Sequence, residues 1–564
     1  MASPVTPPEP IQNTELAGMP TFQVPSPGPT LGMLIFRVGS ADEQLSHAGI
    51  THLVEHLALY RMASQPTAFS YNAAVEQLST AFWARGTPDE VGDYLSRVCT
   101  ALQDLPLERL PDEVRVLQAE RADSAPLVDR MLAVRFGAIT YGLRAYPELG
   151  LGAVDGNAVR EWSRRWFVRR NCALAFVGEM PGELSLELPE GDSPASVPSS
   201  GRKLRLPGWK AIGEGAIAVT AIGPRSTEAF VALACAQRSL SDRLRRDQGM
   251  AYAVKAVIEP LYGSLAHVAL WTSTATEDSE EGLTSFTDTL LRLLAEGPDA
   301  ALLDAVKEAR RRSIADADQA PARLAQRALD HLTEVPAVSD QTQMQEIDAI
   351  TVERIAAVSS EWSRTAILFT PDATKPACDT MTLRALPIWS ERRLHGRRFV
   401  RATSQRLGAQ QVYASAEGVM AVTDAERVLT IPFDECVAMV VPSPKDRVLY
   451  GADSTFLFLH AEDWRDWTGL ARMIDQGVPS SRQIVTPDWD HPEPAQRRWY
   501  QARWSLTPTW RGLVVFFQFS AALVMIYFLF FGLTASLPHA RAQWLPVVVF
   551  TALLVVIPAL LFRR

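Results

Sequence analysis

The sequence predicts an α+β protein: two tandem α/β domains of similar length, then a small β-barrel domain and two C-terminal transmembrane helices. Three observations carry that expectation. Strand-like apolar runs bracket helical stretches twice in the same order between residues 30 and 380, short apolar runs alternate with turn residues from Gln410 to His460, and two long uncharged stretches follow. The 564 residues leave room for three or four units at roughly 150 residues each. Global disorder is excluded by a composition that is 47% hydrophobic and 21% charged. The 55 Lys and Arg against 64 Asp and Glu, a net charge of −9, argue against a nucleic-acid partner. Cys99, Cys172, Cys235, Cys378 and Cys436 are odd in number and far apart, which suits neither a disulfide framework nor a cysteine zinc site and points to a reducing compartment.

Taken in order, residues 1–29 are expected to be a flexible leader, because the first thirty residues hold eight prolines and no basic start with an apolar run. The first α/β domain, 30–190, opens on the run Met33–Val38, continues with helical patterning and closes on Cys172–Val177, ended by Gly178. A Pro/Ser/Gly-rich linker covers 191–208. The second α/β domain, 209–380, repeats the order: an apolar run Ala216–Ile222, a long helix reaching Arg246, runs Ala251–Ile258 and Ser264–Ser273, then helices.

A linker over 381–408 precedes a domain at 409–480, whose six short strands (Gln410–Tyr413, Gly418–Val422, Val428–Ile431, Val437–Val441, Arg447–Tyr450, Thr455–Leu459) and closing helix Trp464–Gln476 resemble pleckstrin-homology-like modules. A basic juxtamembrane segment, 481–511, leads to uncharged spans of 26 and 21 residues at 512–537 and 542–562. At ~1.5 Å rise per residue even the shorter crosses a hydrocarbon core of ~30 Å. Arg497, Arg498, Arg503, Arg511, Arg563 and Arg564 flank the spans, whereas the connecting loop holds only Arg541. This asymmetry predicts a multi-pass protein in the lipid bilayer of the cell membrane, with both termini and the preceding domains cytoplasmic. Trp504, Trp510 and Trp544 fall where interfacial aromatics belong.

The segment with the clearest chemistry is Gly49-Ile50-Thr51-His52-Leu53-Val54-Glu55-His56. On a helix, residues four apart are neighbours, so His52 and His56 can converge on one ion at ~2.0–2.1 Å per bond. Glu55 then lies beside the ion without filling its coordination shell and can take a proton from a water activated by the metal. This is the inverted H-x-x-E-H pattern of zinc peptidases. A catalytic zinc needs a third protein ligand and an open position. Glu120 is the candidate, with Glu113 seven residues before it on the same face, so that one could ligate while the other hydrogen-bonds a ligand.

On these residues the chain resembles the insulinase/pitrilysin family of zinc peptidases, the relatives of mitochondrial processing peptidase. The match runs from Gly39-Ser40 with Glu43, through Gly49 and the His52–His56 motif, to Asn72-Ala73 with Thr80, Glu113 to Glu120, and Asn171 to Gly178. The resemblance implies that His52, His56 and Glu120 hold Zn2+, that Glu55 is the base and that Glu113 is the supporting carboxylate. One departure stands out: His56 and Glu120 are 64 apart, about a dozen fewer than the family usual, with the shortfall between His56 and Asn72.

In the second domain, Leu244 to Tyr252 resembles the family's other signature. It implies that Arg245 and Tyr252 contact substrate near the zinc, the guanidinium fixing a peptide carbonyl and the phenol donating to the developing oxyanion. Family enzymes close a chamber from four α/β units and this chain offers two, so the resemblance implies a homodimer or a heterodimer with a related subunit. It also implies that substrate adds as a strand along an edge within Asn72–Arg85, which favours short or unfolded peptides. The expected function is a membrane-anchored zinc endopeptidase; the alternative is a non-catalytic peptide-binding or scaffolding subunit of an insulinase-like membrane complex.

Overall fold

The computed structural model describes residues 10–63, 69–120, 125–192, 194, 202–213, 215–275, 278–372, 376, 382–402, 409–423 and 426–485. Both expected membrane spans lie outside the described residues, and among the described residues no helix is long and apolar enough to cross a membrane.

The first domain runs β1 (Gln12–Leu16), β2 (Met19–Val24), β3 (Thr30–Phe36), α1 (Ile50–Ala63), β4 (Ser70–Val75), β5 (Thr80–Gly86), α2 (Pro88–Gln103), α3 (Leu110–Glu120), α4 (Leu127–Phe136), α5 (Gly156–Trp166) and β6 (Cys172–Val177). Its sheet has the order β1-β2-β6-β3-β5-β4, antiparallel except for the β2/β6 pair. Helix starts follow local chemistry. Thr87 and Glu90 form a capping box ahead of Pro88 at the start of α2, and Asp155 accepts the Asn157 and Ala158 amides at the start of α5.

The second domain runs β7 (Gly208–Ala211), β8 (Ala216–Pro224), α6 (Thr227–Ser241), β9 (Lys255–Pro260), β10 (Leu265–Ser273), α7 (Ser279–Glu296), α8 (Ala300–Ala315), α9 (Ala320–Leu332), α10 (Asp340–Ala349), α11 (Val352–Thr365), β11 (Ile367–Thr370) and β12 (Arg384–Ala385). Its sheet order is β12-β7-β11-β8-β10-β9. Five of its strands repeat the first sheet in place and direction: β7, β11, β8, β10 and β9 stand for β2, β6, β3, β5 and β4.

Each sheet has a helical front and a rear sealed by the other domain. The first front packs Leu34, Phe36 and Phe82 against Leu53 and Leu57 of α1, Val98 of α2 and Phe167, with Phe36 and Phe167 edge to face at 4.9 Å. Its rear, with Phe22, Met33 and Ile35, is covered by Leu324 and Ala328 of α9 from the second domain. Reciprocally, Met131 of α4 covers the second sheet's rear at Ala218, Ala269 and Phe369. Burial on both faces explains why these strands are near-continuous apolar runs. The exchange also carries polar contacts. Buried Arg135 of α4 donates to the Thr220 and Thr365 carbonyls at 3.2 and 2.9 Å, and Arg144 bridges Asp129 at 3.1 Å to Glu259 at 3.2 Å, beside buried His267 at 3.3 Å from Glu259. The second front keeps a cavity of about 130 Å³ between the sheet and α6, α7 and α11, lined by Leu233, Ala236, Leu270, Leu290, Trp362 and Leu368 among others.

The third domain comprises β13 (Arg397–Val400), β14 (Gln411–Ala414), β15 (Gly418–Val422), β16 (Val428–Pro432), β17 (Cys436–Val441), β18 (Asp446–Gly451), β19 (Phe456–His460), α12 (Trp467–Gly477) and β20 (Gln483–Val485). It forms two four-stranded sheets, β13-β14-β15-β16 and β19-β18-β17-β20: the six expected strands are β14 to β19 and the expected closing helix is α12, with β13 and β20 added.

Three boundaries differ from the sequence expectation. Within the leader, residues 12–24 form β1 and β2, because Phe22 and Val24 bury against the sheet's rear core and β2 pairs with β6. Strands β12 and β13 fall inside the expected linker 381–408, β12 held by parallel pairing to β7 and β13 by its ladder to β14 with Phe399 buried. Strand β20 lies in the expected juxtamembrane segment, placed there by parallel pairing to β17 and the burial of Ile484.

Candidate metal centre

Helix α1 enters the first domain with Leu53, Val54, Leu57 and Ala58 fully buried, which turns His52, Glu55 and His56 toward the opposite side, where the two histidines are partly exposed and Glu55 is buried. Its first turn is fixed by Glu43, whose carboxylate accepts the Gly49 and Thr51 amides at 2.8 Å each, a charge placed on the positive end of the helix. Burial pushes the Glu43 carboxyl up to about 7 despite those donors.

The two imidazole rings lie 4.9 Å apart, centroid to centroid. His56 directs Nε2 at Glu120 Oε2, 3.7 Å away at the end of α3, while its Nδ1 lies 3.4 Å from Glu113 Oε2. His52 hydrogen-bonds Glu148 through Nδ1 at 3.0 Å. One ligand atom from each of His52, His56 and Glu120 lies within 4.8 Å of the others. Two imidazole nitrogens and a carboxylate oxygen are a donor set whose chemistry fits zinc, and His56 and Glu120 are 3.7 Å apart within it. Each histidine engages a carboxylate through Nδ1, the arrangement that fixes the tautomer of metal-ligating imidazoles and leaves Nε2 for the ion.

Glu55 is 5% exposed beside the pair. Burial first, then the charges of Glu120 and Glu148, push its carboxyl up to about 7 against the opposing pull of His52. Burial works against protonation of His52, but its bond to Glu148 and the charges of Glu148, Glu55 and Glu120 outweigh it and raise its pKa. Glu113, buried and 3.7 Å from Arg109, stands against His56 rather than facing open space, so its place is that of an orienting group.

Asn72 is exposed on β4, the outermost strand, whose partner β5 lies inside the sheet, so the free edge within Asn72–Arg85 is β4 alone. Tyr94 donates to the Asn72 carbonyl at 3.0 Å and braces that edge. Arg245 lies in a π-helical turn, Asp242–Asp247, that continues α6 and packs on α7; it is exposed, as is Tyr252, 90% accessible in the bend before β9. Neither joins the metal cluster within this chain. Glu148 carries no local sequence signal: it is 96 residues from His52 in a Pro-Glu-Leu-Gly stretch, and only the fold brings the two together.

No protein-family model and no curated protein matches the sequence. Solved structures do. The chain is similar to a protease from Helicobacter pylori (TM-score 0.52, 16% identity, 65% of this chain and 100% of that one) and to the first half of the periplasmic protease PqqL from Escherichia coli (0.51, 14%, 64% and 92%). It is also similar to a peptidase M16 inactive domain from Pseudomonas fluorescens (0.50, 14%, 64% and 97%). At these identities the likeness shows the fold, which is the insulinase-like fold of M16 peptidase domains, in active and inactive forms alike.

Proposed function

We propose that this chain is a zinc metalloendopeptidase acting on short or unfolded peptides. The observation that carries the reading is the convergence of His52, His56 and Glu120, with both histidines held through Nδ1 by carboxylates. Zinc held there would act as a Lewis acid and make water available as a nucleophile near neutral pH. Glu55, buried beside the histidine pair, would serve as the general base and later as proton donor to the leaving amine. A peptide would lie along β4 by main-chain hydrogen bonds, with Asn72 at the exposed edge. Exposed Arg245 and Tyr252 are available to a second subunit, so a homodimer, or a heterodimer with a related chain, would bring them to a partner's metal site. Spans 512–537 and 542–562 would anchor the protein in the cell membrane with its domains cytoplasmic, and the third domain would be a pleckstrin-homology-like module.

A second reading, a non-catalytic peptide-binding subunit, is favoured by the 53% exposure of the Glu120 side chain and by the M16 neighbour described as inactive. Metal analysis with peptide digestion separates them. The enzyme holds stoichiometric zinc, and Glu55→Gln keeps the metal while losing about 10²–10⁴ in turnover. Zinc without hydrolysis by the wild type, or turnover unchanged in Glu55→Gln, overturns the peptidase reading.

A further inference from the structure

The loop that carries Glu148 is wedged between two parts of the chain. On one side it meets the entry to α1. A Cβ on Gly49, which has φ +96°, would approach Glu148 Cβ to 2.8 Å and Leu151 to 2.9 Å, and a Cβ on Gly150 would come within 2.4 Å of the His47 backbone. The Gly150 amide donates to the Ala48 carbonyl at 3.1 Å. Turns 45–47 and 149–152 are thus pressed together with no side chain between them at these points, and any shift of one displaces the other.

On the other side the same two turns rest on the third domain. Strand β17 packs on turn 45–47 and β20 on turn 149–152. Leu45, Ala48, Leu143 and Leu149 form one buried cluster with Ala438, Val440, Val448 and Ile484. Main-chain and hydroxyl bonds extend the attachment: the Ala138 amide donates to the Ala452 carbonyl at 3.0 Å and Ser454 Oγ to the Ala133 carbonyl at 3.1 Å. Leu149 lies in that cluster and its chain neighbour Glu148 holds His52, so the floor under the loop and the orientation of an imidazole are one residue apart.

We propose that Glu148 is a positioning residue for His52 and that the third domain is a structural part of the metal centre, fixing the Glu148 loop against the start of α1. This rests on the metal-site reading of His52, His56 and Glu120. Its physics is that a carboxylate acting on the far nitrogen of a ligating histidine fixes the ring's tautomer and direction, with loss of such a partner costing about 10–100-fold in metal affinity.

The test uses the full chain, with zinc affinity from chelator competition, the cobalt(II) absorption spectrum and thermal stability as readouts. Glu148→Ala is expected to weaken zinc about 10–100-fold and alter the cobalt spectrum, and Glu148→Gln to recover part of both. Ile484→Ala, at the domain contact, is expected to weaken zinc by a smaller factor. Leu457→Ala, buried within the third domain, should lower stability and leave zinc affinity unchanged. Unchanged affinity and spectrum in Glu148→Ala overturn the positioning role. Equal zinc affinity in Ile484→Ala and Leu457→Ala overturns the part assigned to the third domain. A wild-type chain that binds no zinc overturns the metal site itself, an outcome distinct from either.

Discussion

The two α/β domains repeat five strands of one sheet in place and direction, and in each a helix follows the strand corresponding to β3. In the first domain that helix, α1, presents two histidines and a glutamate against converging carboxylates. In the second, α6 occupies the same position with Thr, Ala, Leu and Cys, and the layer beneath it is incompletely filled. The same five-strand arrangement therefore supports either a cluster of candidate metal ligands or an apolar cavity. The chemistry lies in a handful of side chains rather than in the arrangement of strands.

The comparison is broken most directly at the metal. Glu120→Gln should lower zinc affinity by more than about 100-fold, since loss of a direct ligand exceeds loss of its orienting partner. Removal of zinc by a chelator should abolish peptide hydrolysis, and replenishment should restore it. Inductively coupled plasma analysis alongside a fluorogenic peptide assay checks both.

Packing gives the next effect. Leu57→Ala, in the filled layer under α1, should cost about 3–5 kcal/mol, whereas Leu290→Ala, half-buried beside the cavity, should cost about 1–2 kcal/mol. Denaturant midpoints of the two variants measure the contrast, and equal losses would mean that the two layers are equally tight.

A smaller effect is expected where the domains meet. Burial holds the His267 imidazole below its usual 6.5, with the Arg135 and Arg144 charges acting in the same direction against Glu259. The unfolded chain therefore takes up this proton first as pH falls below 6.5. The stability that neutral His267 contributes is present above that value and is lost progressively beneath it. Melting temperatures at pH 7.5 and 5.5 should differ more in the wild type than in His267→Phe. Smallest of all, Ala236→Leu should fill part of the cavity and raise stability by about 1 kcal/mol.

Much of this was legible in the sequence because apolar runs and motif spacing are local. Cys172–Val177 is β6, Ala216–Ile222 lies within β8, and His52 with His56 fall on one helix as their spacing requires. The long second-domain helix ends at Ser241 and passes into the π-turn that holds Arg245, while the run at Ala251 begins as a single bridge to Thr274 with β9 four residues on. What stayed hidden depends on distant partners. Strands β1, β13 and β20 are short, and their identity comes from neighbours rather than periodicity. Glu148 gains its role only because Gly49 and Gly150 allow two turns to touch. Nothing in the spacing of α4 or α9 announces that each covers the other domain's sheet.

That reciprocal covering bears on how the gene can be divided. Expressed apart, each half would bare an apolar sheet face and also carry a helix stripped of its seat, so both fragments should aggregate or recruit chaperones. Produced together, they should reassemble through the same two seats, each half supplying the helix that the other lacks.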